Sequence, residues 1–186
     1  MIVELSRGVA LLLALCLIYG FIARRWSKGE LVGQILSGGL FGGICVIGML
    51  TPIEVAPGVI FDARSVILSM SGLFGGPVIG VIAGLIAGGY RLWLGGNGVA
   101  VGVAVITVCV LLGLAYRHAV QRGWVQIDVW RLLAFGLLVH LVEIFLFTFL
   151  PAPIMTAVME SVAIPLVLTF TPATALLGVL LQSVES

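Results

Sequence analysis

Six apolar stretches follow one another along the chain: residues 9–22, 31–52, 58–94, 99–116, 129–150 and 154–181. The breaks between them read RRWSKGE, TPIEVAPG, GGNG, RHAVQRGWVQID and PAP, and they hold the glycine, proline and charge that punctuate helices. A bilayer-crossing helix needs about 20 predominantly apolar residues, and most of the stretches approach or exceed that length. Chain inside lipid must satisfy its backbone hydrogen bonds within each segment. The pattern therefore predicts an all-α, polytopic membrane helix bundle of six to seven hydrophobic segments. The first stretch is preceded by no basic region beyond Arg7 and has no small-x-small cleavage site before ARRWSK. It reads as a retained helix, not a leader.

The basic residues orient the bundle. Three of the nine, Arg24, Arg25 and Lys28, fall in the first break, and Arg117, Arg122 and Arg131 fall in or beside the fourth. Short loops rich in Lys and Arg stay cytoplasmic, so the chain crosses an even number of times between these two. Residues 31–52 and 99–116 account for one crossing each. Residues 58–94 must then cross an even number of times, and so must turn back on themselves. The turn is expected at GLFGGPVIG, where Pro77 lacks an amide hydrogen and drives Gly76 out of the helical region, with Gly75 beside it. Two helices result, about 59–74 and 77–94, of ~24 to 27 Å at 1.5 Å per residue. The N-terminus is then expected outside and the C-terminus inside, after seven crossings. Arg64 and Arg91 come to lie at similar depth on the outer side.

Gly72, Gly76, Gly80, Gly84 and Gly88 recur every fourth residue. Each glycine inside a helix costs roughly 1 kcal/mol against alanine, which a stripe repays by letting another backbone approach closely. Tight helix packing is the expectation. A phosphate loop is excluded by the missing Walker lysine and the apolar setting.

Composition agrees with the pattern. The chain is 61% hydrophobic and 9% charged with net charge +1, and its mean hydropathy is +1.29. Soluble domains carry about 25% charged residues. Cys16, Cys45 and Cys109 stand singly inside apolar runs, without the spacing of a metal site or a disulfide framework, and read as buried packing residues. No metal, no cofactor and no nucleic acid is implied.

The ionisable residues at or within the apolar stretches are Asp62, Arg64, Arg91, His140, Glu143 and Glu160. Each costs at least ~2.5 kcal/mol at the bilayer centre and so faces the bundle interior. Asp62, Glu143 and Glu160 suffice to form a purely structural ion-pair network with the two arginines. In the functional alternative an acid fixes an arginine whose fork grips a carboxylate or phosphate. His140 and Glu143 share a helix face and suggest a hydrogen-bonded pair; HxxE alone is weak evidence for a metal. No nucleophile–base constellation points to an enzyme.

Over FDARSVILSMSGLFGGPVIGVIAGLIAGGYRLWLGGNG the chain resembles the membrane receptor region of the LytS–YhcK type. The likeness rests on Asp62-Ala63-Arg64, a Gly-Gly element about ten residues later, and Tyr90-Arg91 followed by Gly95-Gly96. It extends over roughly residues 31–181. The resemblance implies an N-terminal input module of a bacterial sensor protein, embedded in the inner membrane and followed by a histidine kinase or a diguanylate cyclase domain. The Asp-x-Arg form is similar to the cyclase-linked branch. The family counts five crossings where the charge argument counts seven.

The expectation is thus one transmembrane sensor domain over residues 1–186, with a first helix and basic loop at 1–28 and a receptor-like core at 29–186. It binds a small extracytoplasmic anion, a carboxylate by family resemblance, at Arg64 and Arg91, with Asp62, Asn97, His140, Glu143 and Glu160 as further site candidates. Gly72, Gly75, Gly76, Pro77, Gly80, Gly84 and Gly88 serve turn and packing. The partners implied are the anion, membrane lipids, a cytoplasmic output domain in cis beyond Ser186, and a second copy in a homodimer. The rival expectation is a substrate-binding membrane subunit of a solute-uptake transporter.

Overall fold

The computed structural model describes residues 2–27, 29–50, 53–56 and 59–185, with side chains described for 10–27, 29–50 and 62–184. The expectations for Lys28 and for segment ends at Pro52 and Gly58 fall outside the described residues. Helix α1 (Ile2–Arg25) and α2 (Leu31–Leu50) meet at the first basic break. There Glu30 Oε1 accepts the Ser27 backbone N–H at 3.0 Å, and this bond holds the Glu30 carboxyl below the usual carboxylate range.

Two short antiparallel strands follow, β1 (Ile53–Ala56) and β2 (Val59–Phe61), with Ile53 opposite Phe61. The second strand corrects the expected helix start at residue 59. Helix α3 (Arg64–Met70) begins only where Asp62 Oδ1 accepts the Arg64 backbone N–H at 2.8 Å, a carboxylate at the positive end of a helix. Arg64 is therefore the first residue of its helix, not one to two turns inside it.

A π-helical turn (Ser71–Gly75) continues α3 and ends at Gly76, whose φ of 80° and ψ of −169° no longer follow a helix. Helix α4 (Gly76–Leu94) then runs back with Pro77 in its first turn, where a missing amide hydrogen costs nothing. The reversal is direct: a Cβ added to Gly80 would lie 3.4 Å from the Gly72 Cα, eight residues earlier in sequence. The Gly-Gly-Pro hairpin is present.

Helices α5 (Val99–Gln121), α6 (Val129–Phe147), α7 (Ala152–Ser161) and α8 (Ala163–Glu185) complete the chain. The last apolar stretch is broken at Val162, which leaves Pro165 in the first turn of α8 and Pro172 inside it. Among the described residues, five helical runs are long and apolar enough to cross a membrane: Leu31–Leu50, Arg64–Leu94, Val99–Gln121, Val129–Phe147 and Ala163–Val184. The second of these is bent double at Gly76. Its descending arm, residues 64–75, is about 18 Å long at 1.5 Å per residue, short of a ~30 Å hydrocarbon core.

Every residue of α3 is buried, because α2, α5, α6 and α8 surround it. Outward-facing positions stay apolar, as at Leu17, Phe21, Leu85, Phe145 and Leu168, while Trp93, Trp124 and Trp130 are exposed at helix ends. Apolar flanks with tryptophan at the ends suit lipid and its interfaces. The protein is a multi-pass membrane protein.

The glycine row does not form one stripe. Gly76 makes the turn, Gly72 packs on the α5 backbone at Val110 and Leu114, Gly80 and Gly84 meet Val110, and Gly88 has nothing within 4 Å. Close approach also rests on glycines outside the row. Gly38 and Gly42 of α2 receive Ile82 and Ile86 of α4, and Gly113 of α5 lies against the Ser69 carbonyl.

Candidate functional site

The hairpin brings Arg64, at the start of α3, and Arg91, in the last turn of α4, to one pocket. Gly98, Val101 and Gly102 at the start of α5 and Phe147 and Leu150 at the end of α6 complete its wall. Both arginines are almost fully enclosed, at 5% and 1% exposure. The Arg64 guanidinium lies 3.6 Å from Asp62 Oδ1 through Nε and reaches Met49 Sδ at 3.4 Å through an Nη. Arg91 donates an Nη hydrogen bond to the Gly95 carbonyl at 2.7 Å, and its side chain fills the space that Gly102 leaves open. A Cβ at position 102 would sit 2.6 Å from Arg91 Nε. The pocket's free volume is about 10 Å³, room for one water molecule. Phe147 and Leu150 are both buried over it.

Glu143 lies one turn before Phe147 on the same face of α6 and is buried alongside Arg64 and Ser65. Its Oε2 accepts no hydrogen bond among the described residues, and neither Asp62 Oδ2 nor Ser65 Oγ has a hydrogen-bond partner there. His140 does not pair with Glu143. Its Nδ1 bonds back to the Gly136 carbonyl, its ring stacks on Phe170 with centroids 6.1 Å apart, and its Nε2 has no hydrogen-bond partner among the described residues. The i to i−4 carbonyl is nearer to the ring than the acid one turn on. Asn97 is exposed at the α4–α5 loop beside Gly98, and Glu160 is exposed on α7. The structure gathers Asp62, Arg64, Arg91 and Glu143 and leaves Asn97 and Glu160 outside that cluster. Among the described residues no group of His, Cys, Asp or Glu is placed to hold a metal.

Met49, Gly102, Phe147 and Leu150 also belong to this site. These are apolar residues inside apolar stretches and carry no local signal. Arg117, expected in or beside a basic loop, lies within α5. It donates from one Nη to the Leu73 and Phe74 carbonyls, at 2.9 and 2.8 Å, and so secures the tip of the hairpin. Another cavity, of about 150 Å³, lies at that opposite end between α1, α2 and the hairpin tip. Its guanidinium is already engaged by backbone. Among the described residues, the buried charged side chains Arg64, Arg91 and Glu143 are at the other end.

The family model described as 5TMR of 5TMR-LYT matches residues 16–184. The chain belongs to this family. The 5TMR-LYT match spans α2 through almost all of α8 and includes both arginines and the hairpin between them. It is the receptor region that the Asp-x-Arg, Gly-Gly and Tyr-Arg elements resemble, and it makes this a receptor-type membrane region. Comparison with curated proteins and with solved structures gives no match.

Proposed function

We propose that this 5TMR-LYT region is a signal-input domain that binds a small carboxylate from the extracytoplasmic side and relays its presence to a cytoplasmic output domain in cis, such as a diguanylate cyclase or a histidine kinase. The observation that carries the reading is the enclosure of two guanidiniums in one pocket by a chain that doubles back to bring them there. Two like charges in a low-dielectric site repel unless an acid or an anion stands between them. Asp62 lies beside Arg64, and a bidentate carboxylate suits a pair of forks. The small free volume means that Phe147 and Leu150 shift as ligand enters, so binding is tied to movement of α6.

Titration of acetate, lactate, glycolate and inorganic phosphate against wild type, Arg64→Lys and Arg91→Lys tests the site. Each charge-assisted hydrogen bond contributes about 1.5–3 kcal/mol, and 1.4 kcal/mol is tenfold in affinity. Each lysine variant should therefore bind about ten- to a hundredfold more weakly, since an ammonium does not reproduce the fork. Folded variants that bind as tightly as wild type would make the arginines structural.

A further inference from the structure

Among the described residues, the charged groups around the pocket sum to zero when both of its acids are ionised. Arg64 and Arg91 carry one positive charge each, and a guanidinium does not give up its proton in a protein. Among the described residues the acids here are Asp62, near both arginines, and Glu143, near Arg64. All four side chains are enclosed: Glu143 is 3% exposed and the Asp62 side chain 6%. With both acids ionised, the cluster is neutral. From the helices packed on α6, the other groups facing Glu143 are Arg64 and Ser65 of α3 and the Cys109 thiol of α5. His140 lies one turn before it on its own helix. The described part of α8 has no titratable side chain, and Glu160 of α7 is exposed.

An anion entering this neutral cluster leaves it one negative charge in excess, in a space that held room for one water. A buried unpaired charge is expensive enough that a titratable group neutralises instead. Asp62 is the worse placed of the two: its Oδ2 also has no hydrogen-bond partner among the described residues, but its Oδ1 accepts the Arg64 backbone N–H and faces the Arg64 guanidinium, and both contacts favour the ionised form. Glu143 is well placed. Among the described residues its Oε2 accepts no hydrogen bond, and Ser65, whose Oγ has no other partner there, lies beside the carboxyl. Once protonated, Glu143 gains an O–H that Ser65 is positioned to accept.

We propose that the anion binds together with one proton, which Glu143 takes up, so that the occupied site is again neutral. The proposal rests on the reading of this pocket as an anion site. The proton comes from solvent: hydronium and the Glu143 carboxylate give water and the carboxylic acid, and no bond to the ligand forms. The sign follows by linkage. Where Glu143 is ionised in the free protein and protonated in the complex, binding takes up one proton and tightens about tenfold for each unit fall in pH. A receptor built this way responds to the product of anion and proton activity.

The test uses the chain in lipid nanodiscs, titrated with acetate, lactate and glycolate over about two pH units around neutrality, where these monocarboxylates stay ionised. Calorimetry in buffers of different ionisation heat counts the protons, and infrared difference spectra report a carboxylic acid band on binding. The expected result is uptake of one proton, a new acid band, and loss of both in Glu143→Gln. Should Glu143→Gln not fold, Glu143→Asp retains the proton and should move the band. Binding that is weakened by Arg64→Lys but independent of pH, with no proton taken up, overturns the linkage and leaves the anion site standing. Proton uptake that persists in Glu143→Gln, or a band unmoved in Glu143→Asp, overturns the assignment to Glu143. Failure of all three carboxylates to bind overturns the anion site and this proposal with it.

Discussion

At the residue scale, a glycine's value depends on what faces it, and spacing alone does not reveal that. Gly88 belongs to the four-residue row yet has open space around it, whereas Gly113, outside the row, has the Ser69 carbonyl where a Cβ would go, with the Leu73 amide 3.0 Å away. The neighbour at Gly113 is backbone, which yields only if α3 and α5 move apart. Gly113→Ala should therefore destabilise the fold by about 1–3 kcal/mol, the usual cost of overpacking. Gly88→Ala should be neutral or stabilising by up to ~1 kcal/mol, the helix-propensity difference. Thermal unfolding of both variants in detergent measures this. Equal effects at the two positions would mean that the α3–α5 contact is not so close. The charged residues were easier to read. Arg64, Arg91, Asp62 and Glu143 stand out because ionisable groups are costly in lipid, and the structure does bury them together. The residues that close the pocket look like any other apolar residue of a membrane helix.

At the element scale, the hairpin follows from a proline after two glycines and from basic residues on either side of an over-long stretch. The structure adds how it is held. A π-helical turn widens the end of α3, Gly76 takes a positive φ, and Arg117 reaches from α5 to donate to the helix-end carbonyls of Leu73 and Phe74. The strands before α3 were not legible. Val59 and Ile60 read equally well as helix in an apolar run, and only pairing with Ile53–Ala56 makes them a strand. Reversal at Gly76 has a topological consequence. In a cysteine-free background, cysteines placed at the exposed positions Ser27 and Gln121 should label from the cytoplasmic side and one at Asn97 from the outside. Labelling of Ser27 and Gln121 from opposite faces would contradict the hairpin.

At the scale of the whole molecule, α3 is the centre on which the other helices close, and it carries one of the two pocket arginines at its first residue. Helix α8 packs against α1, α3 and α6, and Gln182 near its end donates to the Ile127 carbonyl of the α5–α6 loop at 3.3 Å. On the proposed reading, a shift of α3 or α6 on ligand entry would be passed to α8 through these contacts. Spin labels at position 182 and on α2 should show a changed distance distribution when a bound carboxylate is added, an all-or-none change between packed arrangements being the usual form of such coupling. Distances that are the same with and without ligand would remove α8 as the output element.

The sequence by itself determined the solvent, most of the helices, the reversal at Gly-Gly-Pro and the short set of residues from which the buried charges come, because each of these is set by local chemistry. Lipid demands apolar, internally hydrogen-bonded segments, proline lacks a donor, and buried charge needs a reason. Only the tertiary structure decided which charges meet and how tightly the pocket is shut. His140 turned to Gly136 and Phe170 and away from Glu143, and Glu160 stayed outside. Phe147 and Leu150 came down over Arg64 and Arg91. These outcomes depend on how helices distant in sequence rotate and pack against one another, which glycines such as Gly102, Gly113 and Gly136 set by their absent side chains.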